Sequence, residues 1–276
     1  MNTQKLYLND SYLYSAQATI LSYQPSSTIN DNTTTGSIIL NATCFYPQGG
    51  GQPSDEGTIT VLRESHEGAS NDELIFIVKK VMLNENSEIV HIGEAPVEFW
   101  DFLLKKVASN ILVQLQVNQQ LRMASMRLHT AGHMLDVALS NLGFGPEQLI
   151  GVKGYHFSDS PYVEFLQIGD ESTSLTAEDL ASLPSRLTTE LRNLVTQDLA
   201  TEIVDIAKEH VFDLCASDVK GMNFDKYPDM IRMVKVCGKF IPCGGTHTRS
   251  SGEIGMSIEV TKIKKKKNIY RISYSI

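Results

Sequence analysis

Apolar and polar positions change period three times along the chain. Up to about residue 95, short apolar runs such as Ser37-Ile38-Ile39-Leu40 and Leu74-Ile75-Phe76-Ile77-Val78 alternate with clusters of Gly, Asn, Ser and Pro. That is the pattern of strands joined by turns. From about Asn118 to Asn141, Leu121, Ala124, Leu128, Ala131, Leu135, Ala138 and Leu139 recur at steps of three and four. This spacing predicts a helix with one buried stripe, ended by Gly143 and Gly145-Pro146. A second helix is predicted from Ala177 through Leu199, opened by Thr176 and Asp179 at capping-box spacing and broken or kinked at Pro184. Glu202 to Ile206 reads as a strand and Ala207 to Ser217 as a short helix. Met230–Val236, Ile254–Ile263 and Ile269–Ile276 read as further strands. Lys264 to Lys267 with Asn268 then form the tip of a hairpin, either a solvated turn or a contact for a phosphate backbone.

The pattern thus gives a β-rich first part, followed by a part in which helices and strands are mixed. Glu94-Ala95-Pro96 precedes a helical connector through Trp100 and Leu112. The boundary is therefore expected between about residues 95 and 115, giving domains 1–105 and 106–276. Hydrophobic residues make up 42% and charged residues 20% of the 276 positions, which excludes wholesale disorder. No apolar run reaches the roughly 18 residues of a membrane-spanning helix. The start, MNTQKLYLND, does not have the pattern of a secretion signal. A cytoplasmic protein without a membrane partner is expected, and its four cysteines are expected as thiols, metal ligands or core rather than disulfides. The net charge of −8 weighs weakly against a nucleic-acid partner, although local fields matter more than the sum.

The candidate chemistry lies in two short motifs. His129-Thr130-Ala131-Gly132-His133 sits within the first helix, where residues four apart share a face, so both imidazoles can address one ion. The glutamate that follows the first histidine of HExxH peptidases is absent, and with it the general base of that class. Far downstream, Cys243-Gly244-Gly245-Thr246-His247 has two glycines that permit a tight turn, bringing thiolate and imidazole together. His129, His133, Cys243 and His247 form a chemically sensible zinc set. Four protein ligands are compatible with a closed structural site. A wide sequence separation and a histidine-rich set favour a functional one. A third feature is Phe45-Tyr46-Pro47-Gln48-Gly49-Gly50-Gly51-Gln52-Pro53, either a flexible turn or a loop that approaches a ligand.

The pairing of HTAGH with CGGTH, preceded by FYPQGGGQPSDEG, resembles the AlaX family of free-standing alanyl-tRNA editing proteins. The same elements occur in the editing domain of alanyl-tRNA synthetase. The resemblance covers nearly the whole chain, including Lys153-Gly154-Tyr155-His156-Phe157 and the lysine-rich hairpin. The threonyl relatives usually carry proline where Thr246 stands. The resemblance implies an α+β fold, with a small β-barrel-like domain carrying the glycine loop joined to an α+β editing domain with a mixed or antiparallel sheet. It also implies a zinc-dependent hydrolase that removes chiefly serine, with glycine a second candidate, from the tRNA for alanine. Thr130, polar and next to a zinc ligand, either meets the serine hydroxyl or bonds only its own backbone. With Gln52 and Lys153 it makes up the catalytic candidates, and Gly49, Gly50, Gly51, Gly154, Gly244, Gly245 and Thr246 are the candidate substrate site. Gly132, Val152 and Tyr155 depart from residues found in some relatives. The rival readings are a tRNA-binding protein that zinc merely staples together, and a zinc hydrolase of another ester or amide.

Overall fold

The structure, a computed structural model, describes residues 3–30, 32–62, 73–106, 110–169, 174–215 and 228–276. It is α+β, and its contacts divide into two units, one of residues 1–49 and 53–123, the other of 50–52 and 124–276.

The first unit is a closed antiparallel barrel of β2 (Ser15–Asn30), β3 (Thr33–Leu40), β7 (Ile89–Pro96), β6 (Ile75–Leu83), β5 (Gly57–Val61) and β8 (Leu112–Val117), in that order around the barrel. A short parallel pair, β1 (Gln4–Lys5) and β4 (Ala42–Thr43), lies outside it. Alternate side chains point inward, so Ile38, Leu40, Ile59, Phe76, Val113 and Leu115 are fully buried. Helix α1 (Val97–Lys105) buries Phe99, Trp100 and Leu103, and the Trp100 indole donates to Thr34 O at 3.1 Å. Leu112 begins β8, so the helical connector expected through it stops at Lys105. β8 closes the barrel by pairing with both β2 and β5. For that reason the contacts divide inside the long helix rather than near residue 105.

That helix, α2, runs Gln119–Asn141. Asn118 caps it, accepting at Oδ1 from the backbone of Gln120 and Leu121. The expected stripe holds from Leu128 onward, but Leu121 is 43% exposed and Ala124 is exposed. The buried residue of the first turn is instead Arg122. Its guanidinium grips the Asp55 carboxylate and donates to Ser11 O and Cys44 O. A fully buried cation is tolerable because each face of the fork meets an acceptor.

In the second unit, β14 (Glu259–Lys266), β15 (Ile269–Ser275), β10 (Tyr162–Gln167) and β9 (Leu149–Tyr155) form an antiparallel sheet in that order. One sheet face, carrying Val163, Phe165, Tyr270, Ile272 and Tyr274, shares a core with α2 and α3 (Ala177–Gln197). The capping box at Thr176 and Asp179 is formed. α3 continues through Pro184 despite the missing N–H, which costs about 3 kcal/mol. Burial of Leu183, Leu187, Leu191 and Leu194 on one stripe outweighs it. A second sheet joins β11 (Glu202–Ala207), β12 (Met230–Val236) and β13 (Lys239–Pro242). α4 spans Val211–Cys215, and Ser217 lies outside the described residues. The expected strand from Ile254 begins at Glu259, because Ser251–Ile254 form a 3-10 turn. Lys264 to Lys266 belong to β14 itself, leaving only Lys267 and Asn268 in the turn.

A candidate metal centre between helix and loop

Helix α2 places His129 and His133 one turn apart, with ring centroids 4.9 Å apart. The loop after β13 supplies Cys243 and His247. It is anchored to β12 by Cys243 N donating to Arg232 O, while Arg232 Nη1 donates to Cys243 O at 2.6 Å. Cys243 Sγ lies 3.6 Å from His129 Nε2 and 3.3 Å from His247 Nε2. The four donor atoms all fall within 4.8 Å of one another. Zinc–nitrogen and zinc–sulfur bonds of about 2.0 and 2.3 Å imply tetrahedral edges of roughly 3.3–3.7 Å. The two sulfur–nitrogen separations match that size.

The protein also fixes which nitrogen each ring offers. His129 Nδ1 donates to Gln52 Oε1 at 2.8 Å, leaving its Nε2 lone pair toward Cys243. Gln52 is fully buried. It accepts from Thr246 N at 3.1 Å, and its amide donates to Thr246 Oγ1 at 2.7 Å. His247 Nδ1 meets Thr130 Oγ1 at 3.2 Å, and that oxygen also accepts from Thr248 N. Such partners orient metal-ligating rings and raise their basicity. Among the described residues, His133 Nε2 is buried without a hydrogen-bond partner, as a ring nitrogen awaiting a ligand bond would be.

The electrostatics agree. Burial, reinforced by neighbouring imidazoles and Arg232, holds His129 and His247 well below the usual histidine range. Burial and the Lys239 cation push His133 down to about 4. All three are therefore neutral near pH 7, the form that binds metal. Burial raises the Cys243 thiol, opposed by the Gly245 N–H and Arg232. A dication at the cluster would offset that desolvation by favouring thiolate. The donor set fits a metal ion.

The remaining residues singled out in the sequence fall in three places. Gln52, Thr130, Gly245 and Thr246 join the donors. A Cβ on Gly245 would stand 2.1 Å from His129 Cε1, so the loop can press onto the ring only without a side chain. Gly51, at φ +80°, accepts at its carbonyl from His156 N, and a Cβ there would strike Gly154 O. Gly50 and Gly244 are more open. Gly49 groups with the barrel unit, where its carbonyl accepts from Tyr46 Oη. Lys153 is exposed and pairs with Glu164 across β9 and β10. Strand alternation puts its side chain on the sheet face opposite that of Gly154 and His156, so it does not join the donors.

Sequence patterns assign His156 no role, yet it is 4% exposed and stacks on His129 with centroids 4.8 Å apart. Its Nδ1 meets Tyr274 Oη at 2.7 Å, and that hydroxyl donates to Leu128 O. The ring is therefore protonated at Nδ1, and burial lowers its pKa to about 3. Cβ atoms on Gly132 or Gly154 would each lie 2.3 Å from this ring. The readable signal is those two glycines flanking a histidine's space, which only the fold brings together.

No protein-family model matches the chain. Over 265 residues it is 30% identical to the alanyl-tRNA editing protein AlaX-M of Pyrococcus horikoshii, covering 95% of this chain and 91% of that protein. It is 27% identical to AlaX-L of the same organism over 99% of this chain, but spans only 57% of that protein. With the alanine–tRNA ligase of Fervidobacterium nodosum it shares 30% identity over 79% of this chain and 22% of the ligase. Identity sustained across almost the full length of both this chain and AlaX-M exceeds what two shared motifs would produce, and the chain belongs to the AlaX family of alanyl-tRNA editing proteins.

Proposed function

We propose that this protein hydrolyses the ester joining a wrongly attached amino acid to the tRNA for alanine, with serine the foremost substrate, glycine a second, and zinc the resident ion. The carrying observation is the convergence of His129, His133, Cys243 and His247 within 4.8 Å in a chain related to proteins named for alanyl-tRNA editing. Zinc bound there supplies Lewis acidity, the property that polarises an ester carbonyl. The residues around it hold the donors ready. Gln52 keeps the proton of His129 on Nδ1, Thr130 positions His247, and His156 covers one face of His129 against water. Thr130 then acts through His247, since its oxygen is already engaged by that ring and by Thr248 N.

The need for a second site follows from selectivity. A pocket shaped for alanine rejects a side chain bearing one extra hydroxyl by only about a hundredfold. A site that hydrogen-bonds that hydroxyl leaves its own polar group unpaired when alanine enters. This costs about 1–3 kcal/mol, roughly ten- to a hundredfold.

Four protein donors also suit a closed site that only staples the fold, and one assay separates the readings. Release of radiolabelled serine is measured from seryl-tRNA for alanine, beside alanyl-tRNA and a His133→Ala variant. Rapid serine release that spares alanine and disappears in a folded variant is expected. A folded, zinc-loaded protein that leaves both esters intact would overturn the reading in favour of structural zinc.

A further inference from the structure

The sheet β14-β15-β10-β9 buries one face, so the residues between its buried ones form a second, open face. Ladder pairing arranges that face in rows. Lys264, Arg271, Glu164 and Lys153 lie across one row, and Lys262, Ser273, Tyr162 and Tyr155 across the next. The lysines of both rows and Arg271 are exposed. Lys266 and Lys267 continue the positive edge, and with Lys264 and Arg271 they rim a depression in the surface. Such a concentration of cations is unexpected in a chain of net charge −8.

Aromatic rings sit among these cations. Tyr155 and Tyr162 stack with centroids 5.3 Å apart and planes 15° apart, and Tyr155 and Phe157 stack at 4.6 Å and 15°. The Arg271 guanidinium covers Tyr162 at 4.1 Å while bonding Glu164. The column therefore runs Arg271, Tyr162, Tyr155, Phe157. Arg271 closes one end, and the half-buried Phe157 ring is the terminal member at the other. Phe157 follows His156, whose ring turns to the other side of the strand and stacks on His129, so the column ends at the residue next in the chain to one that packs on the donor cluster.

We propose that this face is the platform for a single-stranded RNA end, with a base stacked on Phe157 and the preceding phosphates held by Lys264, Lys266 and Lys267. The identity of that RNA as the 3′ end of a tRNA rests on the function proposed above. The chemistry is that of single-strand binding: rings offer a sequence-tolerant stacking surface, and lysines neutralise the backbone. A solvated sheet face would need the lysines but not the ordered column of rings.

The test uses zinc-loaded full-length protein and a fluorescent RNA acceptor hairpin, with and without its unpaired 3′ tail, read by anisotropy across salt concentrations. The tail is expected to tighten binding. Phe157→Leu should erase at least fivefold of that tightening without changing the salt slope, and Phe157→Tyr should restore it. Replacing Lys264 and Lys266 together by Ala should instead flatten the slope by about 1.4, near 0.7 for each single-strand phosphate contact. Equal binding of tailed and tailless RNA would overturn the proposal, as would Phe157→Leu and lysine variants that bind as wild type while melting normally. If the tailed RNA binds through this face but no serine is released, the platform stands and the editing function falls. Rapid serine release with an unchanged KM in these variants would remove the platform and leave the editing function standing.

Discussion

Gln52 ties His129 on the helix to Thr246 in the loop of the candidate metal centre. One side chain, fully buried, makes three hydrogen bonds: to His129 Nδ1 at 2.8 Å, to Thr246 N at 3.1 Å and to Thr246 Oγ1 at 2.7 Å. Replacing it by Leu keeps the volume and leaves no room for water, so two N–H groups lose their acceptor. Each unsatisfied buried donor costs about 1–3 kcal/mol, so a loss of about 2–6 kcal/mol in stability is expected. The His129 ring also loses the partner that fixes its tautomer, which for metal ligands typically lowers affinity about 10–100-fold. Gln52→Glu keeps the acceptor for both N–H groups, and the Thr246 hydroxyl can rotate to donate to it. Zinc affinity in Gln52→Glu should therefore equal or exceed that of wild type.

The assay is competition for zinc against a chromophoric chelator at pH 7.5, with urea unfolding of the same three proteins. The expected order is Glu at least equal to Gln, and both far above Leu. That order is refuted if Gln52→Leu binds zinc within threefold of wild type, or if Glu proves no better than Leu. Either result would mean that His129 is oriented by the helix alone.

Two further outcomes follow from buried imidazoles. Gly132→Ala gains roughly 1 kcal/mol of helix propensity, but its Cβ would sit 2.3 Å from His156 Cε1, on a ring pinned by Tyr274. Net destabilisation of about 1–3 kcal/mol is expected, reversed when His156→Ala is added; stabilisation by Gly132→Ala alone in thermal melts would contradict the packing. In the barrel, His91 meets Thr43 Oγ1 and Ile38 O, and burial pushes its pKa down to about 4 from 6.5. Between those values the unfolded chain binds the extra proton, so this stabilisation is complete above about pH 6.5 and fades as the pH falls toward 4. It amounts to about 2 kcal/mol between pH 7.5 and 5. Urea unfolding of His91→Gln should show a fall smaller by that amount, and equal falls would show that His91 does not titrate as described.

Sequence reached the donors because their information is local. The two histidines share a face at four-residue spacing, and Cys243 and His247 flank a glycine pair that lets the loop turn. What lay beyond reach depends on partners distant in the chain. Periodicity put Leu121 and Ala124 in the core because it counts apolar side chains. Arg122 is buried instead because Asp55, in the loop after the glycines, supplies the opposite charge that offsets its desolvation. Barrel closure has the same character, since β8 follows a helix and pairs with β2, the first long strand.

In the lysine run, composition pointed to the tip of a hairpin. Four consecutive lysines read as a turn, yet three continue β14. A strand at the sheet edge with one open face buries nothing at alternate positions, so lysine there costs little. Lys265, whose parity turns it the other way, lays its ammonium 5.0 Å from the Tyr270 ring centre and donates to Ser174. One cation of the run is thereby engaged within the fold, while Lys264 and Lys266 stand on the open face with Arg271. The alternation of the strand divides a uniform charge run into a structural member and a pair on the open face. Within the run, a change at Lys265 should therefore act first on stability, and changes at its two neighbours first on the salt dependence of RNA binding.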